Sequence, residues 1–306
     1  MTGNRKIGNL LLIVTAIIWG TAFAAQRSGM ESIEPITFTA SRMVLAAAAV
    51  GLAALIMGRR SARIPSGRTP EEERLYKKNT ITGGILCGVF LSTATIFQQT
   101  GLVYTTAGKA GFITAMYMLL VPVVGFIVFR KKNTWLVWTA VIVGVAGMYL
   151  LCMNEGLSLT RGDALECVCA VLFTGHILCC DRFAARGDPI RISAIQFITA
   201  AIISGVAAFI AEEPSWGKVI SAAIPILYCG IVSGGIGYTL QIVAQRSTDP
   251  TVASLLLSLE SVFAVIAGAF LLGERLSPRE LIGCAVMFAA IILVQIPLPK
   301  KEKGTG

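Results

Sequence analysis

Apolar runs with little or no charge, separated by short polar segments, recur at 7–26, 35–58, 79–108, 110–129, 133–153, 164–180, 192–211, 219–245, 250–273 and 281–299. About 20 apolar residues are needed for an α-helix to cross a hydrocarbon core about 30 Å thick. The pattern therefore predicts an all-α integral membrane protein with ten transmembrane helices. Isolated charges interrupt it at Arg42 in the second span, Glu166 in the sixth and Glu260 in the ninth. The ninth span, Pro250 to Gly273, would rise about 36 Å with Glu260 near its midpoint. A charge at the bilayer centre costs roughly 2.5 kcal/mol or more. Glu260 is thus expected to face a protein interior or a wet cavity, to be protonated, or to hold a partner.

Composition agrees. The 306 residues are 55% hydrophobic and 14% charged, with a mean hydropathy of +0.75, whereas about a quarter of residues are charged in soluble domains. Nineteen of the 26 basic residues fall in alternate loops together with the two termini, six fall in the other loops, and Arg42 lies inside a span. Basic residues accumulate on the cytoplasmic side, so both termini are expected there, as are Lys77 and the basic tail at 300–306, with Lys218 outside. The net charge of +9 is then a topological signal, and no nucleic-acid partner is implied. The expected partners are the lipid bilayer and a small-molecule substrate. Arg5, Lys6, the following apolar run and Ala22-Phe23-Ala24 imitate a cleaved signal peptide. Removing that segment would leave nine spans and invert the charge argument, so it is read as the first span.

The second half of the chain restarts the first. At an offset of 154 residues, Gly8 falls on Gly162, Asn9 on Asp163, Pro35 on Pro189 and Arg42 on Gln196; the fourth and ninth spans also correspond, at an offset of 139, with VPVVG at 121–125 over ESVFA at 260–264. Two five-span units result, 1–153 and 160–299. Five is odd, so the second unit enters the membrane from the opposite face, the arrangement associated with alternating access and a midplane site. Pro122 removes a backbone hydrogen bond in the middle of the fourth span and should kink it.

Candidate site residues are polar or aromatic groups at mid-span. Trp19 suits either helix packing or a cavity wall, and Arg42 either snorkels outward or pairs inside the bundle. Tyr117 in the fourth span should approach Glu260 from the other half. Tyr238 and Gln241 share a face of the eighth span, where a phenol and an amide must find partners. His176 is the only histidine; it is a satisfied core residue, a cavity residue or, with Glu260, a candidate proton carrier. With no second histidine and no C-x-x-C among eight cysteines, no metal site is expected, and the cysteines read as small apolar packing residues. No Gly-x-Ser-x-Gly or Walker sequence is present, so neither a catalytic set nor a cofactor is expected. A passive channel or membrane scaffold is the alternative to a transporter.

Four stretches carry a family resemblance: WGTAF at 19–23; FQQTGLVYTTAGKAGFIT at 97–114 with VPV at 121–123; GDALE at 162–166; and LESVFAVIAGAFLLGERLSPRELIG at 259–283. In combination they resemble the EamA type of the drug/metabolite transporter superfamily. The resemblance implies export or exchange of small metabolites such as amino acids across the bacterial inner membrane, through a central cavity lined by both halves. It leaves the cargo open. Ser261 stands where the family often has proline after the glutamate, and Arg130-Lys131-Lys132 where a Gly-Glu pair is common.

Overall fold

The computed structural model describes residues 2–61, 67–104, 107–131, 133–152, 160–271 and 277–295. The tail at 300–306 lies outside them. The described residues form helices only: α1 (Thr2–Gly29), α2 (Pro35–Ser61), α3 (Pro70–Tyr104), α4 (Ala107–Thr114), α5 (Tyr117–Phe129), α6 (Trp135–Cys152), α7 (Arg161–Ala184), α8 (Pro189–Ala211), α9 (Trp216–Ser221), α10 (Ala223–Leu227), a π-helical stretch Tyr228–Tyr238, α11 (Thr239–Ala244), α12 (Pro250–Leu257), α13 (Glu260–Leu271) and α14 (Pro278–Gln295). Seven continuous helical segments among the described residues are long and apolar enough to cross a membrane, and Tyr117–Phe129, Trp135–Gly147 and Leu281–Leu293 are shorter apolar helices. Large apolar side chains such as Phe209, Ile210 and Phe270 point outward, each more than three-quarters exposed. Such a surface suits hydrocarbon and would be costly in water.

Helix starts follow local chemistry. Pro35, Pro70, Pro189, Pro250 and Pro278 each open a helix, where the missing N–H costs nothing. Thr160 and Asp163 form a reciprocal capping box on α7, Asp188 accepts from Ile190 N and Arg191 N, and Asp249 accepts from Thr251 N. The start of α2 is capped from a distance: Glu212, at the end of α8, accepts from Ile36 N at 2.9 Å and from Thr37 N and Oγ1 at 2.7 Å each. One carboxylate therefore ties two helix ends together.

Two predicted spans are discontinuous. The fourth is α4 and α5, interrupted at Ala115 and Met116, with Pro122 one turn into the second piece. Pro122 cannot donate to Met118 O, and its ring crowds that carbonyl, so the chain gives way in the preceding turn. The ninth is α12 and α13, interrupted at Ser258 and Leu259 without any proline. There Ser254, Ser258 and Ser261 each donate to the carbonyl three residues back, at 2.8–2.9 Å. Leu259 N and Ser261 N likewise bond three residues back. Serine hydroxyls competing for helix carbonyls tighten and bend a helix, which replaces the proline device.

The halves interlock. α1 packs on α12, α13, the π-helical stretch and α11; α7 packs on α4, α5 and α3; α2 packs on α8 and α6 on α14. Gly84 and Gly88 let α3 close on α8: a Cβ at either position would fall 2.5 Å from Ile195 Cβ or Thr199 Cβ.

Glu34, in the α1–α2 loop, forms an ion pair with Lys218 of α9. The hydrogen bond from Lys218, and then one from the backbone, hold the Glu34 carboxyl below its ordinary 4.5, while the bond to Glu34 raises the Lys218 ammonium. A depressed carboxyl contributes stability that is full above its ordinary value and is lost as pH falls through its folded value. Lys218→Ala should therefore melt slightly below the unmodified protein at pH 7. That gap should close once the pH falls below the lowered Glu34 value, and also at high salt. A gap that persists in acid would show that the pair is not its source.

Candidate functional site

The helix interruptions and the π-helical stretch converge on one buried cavity. Its wall takes Trp19, Phe23 and Gln26 from α1 and Arg42 from α2. Gln98, Thr114 and Tyr117 enter from α3, α4 and α5, and Phe173 and Ile177 from α7. Ser233, Tyr238, Gln241 and Glu260 complete it. The free volume is about 30 Å³, space for two or three waters and far below the roughly 300 Å³ of a small-ligand pocket.

Tyr117 and Glu260 are the first residues of α5 and α13, so both half-helices begin at the cavity. Tyr117 Oη donates to Glu260 Oε1 at 2.9 Å. This contact joins the halves across 143 residues. Glu260 is buried, only 5% exposed.

Across the cavity, Arg42 is also 5% exposed and does not snorkel outward. Its guanidinium lies 5.7 Å from the centroid of the Phe38 ring, a cation–π distance. Its Nε and Nη2 have no hydrogen-bond partner, and neither amide atom of Gln241 has one. Arg42 and Glu260 therefore line one cavity without pairing with each other. Buried polar atoms left unpaired cost about 1–3 kcal/mol each.

Trp19 is a cavity wall with a hydrogen bond of its own. Nε1 donates to Ser233 O at 3.1 Å, and its ring lies 4.4 Å from that of Tyr238, tilted by 45°. A π-helix leaves carbonyls irregularly satisfied and is frequent at functional sites; here Ser233 and Gly237 both present carbonyls to α1, the second accepting from Thr15 Oγ1 at 3.4 Å.

Six of the seven expected residues line the cavity: Trp19, Arg42, Tyr117, Tyr238, Gln241 and Glu260. His176 does not. It stands behind Tyr238, with ring centroids 5.6 Å apart, and shares a 3.0 Å hydrogen bond between Nε2 and Gln196 Oε1. Gln98, Thr114 and Ser233 line it without being among the expected residues. Thr114 Oγ1 donates to Glu166 Oε2 at 2.7 Å, whereas Glu166 Oε1 is unpartnered; its signal was the lone acid in the sixth span. One grouping of possible metal ligands lies outside the residues expected from the sequence. Cys87, His176 and Cys180 come together although 89 residues separate the first two, because α3 packs lengthwise on α7.

The sequence profile of the EamA-like transporter family matches residues 6–153 and 160–296. The chain belongs to the EamA-like transporter family. This EamA protein is accordingly a multi-pass membrane transporter of small solutes. It is 25% identical over 293 residues to an uncharacterized transporter of Archaeoglobus fulgidus, covering 96% of this chain and 87% of that protein. It is 23% identical to the probable terminal-alkyne amino-acid exporter of Streptantibioticus cattleyicolor, covering 92% and 91%. Over 172 residues it is 26% identical to the threonine/homoserine exporter RhtA of Escherichia coli K12, covering 55% and 56%. A crystal structure superposes with a TM-score of 0.75 at 19% identity, covering 96% of this chain and 97% of the other, which establishes the shared fold.

Proposed function

We propose that this EamA protein exports or exchanges an amino acid or a related zwitterion across the bacterial cytoplasmic membrane by alternating access. The observation that carries the reading is the pair Arg42 and Glu260, a guanidinium and a carboxyl that line one buried cavity without pairing with each other. A zwitterion satisfies both: its carboxylate accepts from Arg42 Nε and Nη2, a two-pronged match, and its ammonium donates to Glu260. Trp19 and Tyr238 supply the apolar flank, and Gln241 a further hydrogen bond. Two relatives named as amino-acid exporters favour the same substrate class. Arg42, Glu260 and the two half-helix starts at Tyr117 and Glu260 repeat a recognised transporter design, in which broken helices bind polar groups at the midplane.

Ten spans as two inverted units, 1–153 and 160–299, with both termini cytoplasmic, complete the proposal. Exchange of packing partners between halves supports it: α1 meets α12 and α13 as α7 meets α4 and α5. Cross-loop contacts also sort into two sides. Ser247 bonds Asn4 O, Asp188 N bonds Thr80 and Lys131 pairs with Asp249 on one; Glu34, Thr37, Glu212 and Lys218 meet on the other. This division agrees with the charge bias of the loops. Glu260 is the proton-coupling candidate, and His176 stands one ring further from the cavity.

Counterflow in proteoliposomes tests the substrate class. Neutral zwitterionic amino acids should exchange and should raise the melting temperature by mass action. Their decarboxylated amines and N-acetyl derivatives should do neither, because each leaves one buried charge unpaired. Equal exchange of all three would overturn the zwitterion reading.

A further inference from the structure

Outside the cavity, one cluster offers metal-binding donors that the transport reading does not use, Cys87 on α3 with His176 and Cys180 on α7. We propose that these three side chains form a Zn(II) site that clips α3 to α7. All three are fully buried. Cys87 Sγ and Cys180 Sγ are 3.8 Å apart, and Cys180 Sγ is 3.7 Å from His176 Nε2 and 3.9 Å from Nδ1. Zn–S bonds of about 2.3 Å and Zn–N bonds of about 2.0–2.1 Å put the edges of a tetrahedron at about 3.6–3.8 Å. Cys180 already stands at nearly that separation from each of the other two, and the three ligand atoms all lie within 4.8 Å of one another. His176 and Cys180 are four residues apart on one helix face, and Cys87 closes the set from the neighbouring helix.

The surroundings suit a metal. A ligating histidine commonly directs its second ring nitrogen to an oxygen that orients it. Gln196 Oε1, 3.0 Å from Nε2, fills that place when Nε2 carries the proton and Nδ1 faces the thiols. Cys87, Cys180, Phe183, Ala184, Ile192 and Ile242 form a separate apolar cluster around the site. A net charge there would be costly. Binding of Zn²⁺ releases two thiol protons, so two thiolates and the dication sum to zero. Cu(I) with the same thiolates would leave one negative charge. The fourth position is left for a water, as at zinc centres with three protein ligands.

α3 and α7 belong to different halves, and α7 also carries Phe173 and Ile177 into the cavity. Bound zinc would therefore hold one cavity wall against the opposite half, restraining any movement between them.

The test uses the full-length protein, reduced and stripped with chelator, and Co(II) as the optical probe. One Co(II) per chain is expected, with a thiolate-to-cobalt charge-transfer band that Zn(II) displaces. The band should be lost in Cys87→Ser and Cys180→Ser and kept in Cys167→Ala, whose thiol is exposed elsewhere on α7. Gln196→Leu should retain the stoichiometry with affinity about 10- to 100-fold weaker. Zinc should raise the melting temperature of the unmodified protein and leave that of Cys87→Ser unchanged. No cobalt band, a band indifferent to Cys87, or a Cys87–Cys180 disulfide in the protein as purified would each overturn the proposal. Should Cys87→Ser fail to fold, chemical alkylation protection settles the matter: Zn(II) must shield Cys87 and Cys180 together, and shielding of neither rejects the site.

Discussion

Glu260→Gln should abolish high-affinity amino-acid binding and exchange together, with affinity falling about 10- to 150-fold. The range is what a hydrogen bond to a charged group contributes, about 1.5–3 kcal/mol, at a factor of ten per 1.4 kcal/mol. Glutamine keeps the shape and can still accept from Tyr117, which now stands 2.9 Å from the carboxylate, so the helix junction should survive and expression should stay normal. The variant therefore removes the carboxyl proposed to meet the substrate ammonium and little else. Tyr117→Phe is the companion: it frees Glu260 without removing its charge and should have a smaller effect. Thermal shift with amino acid present and counterflow in proteoliposomes read both quantities. If exchange survives and only pH-driven accumulation is lost, Glu260 carries protons rather than substrate. If both activities persist at unmodified rates, Glu260 is structural and the binding role passes to Trp19 and Tyr238.

Gly20→Leu should be the most damaging substitution to the fold. A Cβ at Gly20 would lie 2.5 Å from Phe263 Cβ, 2.7 Å from Glu260 O and 2.8 Å from Ala264 N. Two of those atoms are backbone, so no rotamer change relieves the overlap and α1 must move off α13. Overpacking costs about 1–3 kcal/mol where side chains can yield; here the cost should reach about 3 kcal/mol or more. Gly20→Ala should lower the melting temperature by several degrees, and Gly20→Leu should abolish a folded yield. Gly51→Leu is the control, because nothing lies within 4 Å of a Cβ there. Because Gly20 packs on the carbonyl of Glu260 itself, Gly20→Ala should also weaken the amino-acid-dependent thermal shift. Unchanged melting in both Gly20 variants would refute this account of the α1–α13 contact.

The all-helical, membrane-spanning character of the chain and the lone charges within its apolar runs were legible in the sequence. Partition of a segment into hydrocarbon is decided residue by residue, and a single ionisable residue in a span of 24 stands out without knowledge of its neighbours. For the same reason Glu260, Tyr238 and Gln241 were recognisable as groups that need a partner or a cavity, whereas Arg42 could equally have snorkelled outward. What the tertiary structure alone decided is which of them meet. The rotation and depth of one helix against another depend on packing of small residues such as Gly20, Gly84 and Gly88, which hydropathy does not record. So the Tyr117–Glu260 hydrogen bond, the displacement of His176 from the cavity and the approach of Cys87 to Cys180 could not be read from spacing. The break in the ninth span belongs with them: Ser254, Ser258 and Ser261 bend it through hydroxyl bonds to the preceding turn. A serine written in sequence does not declare whether its hydroxyl will take that carbonyl or face a partner helix.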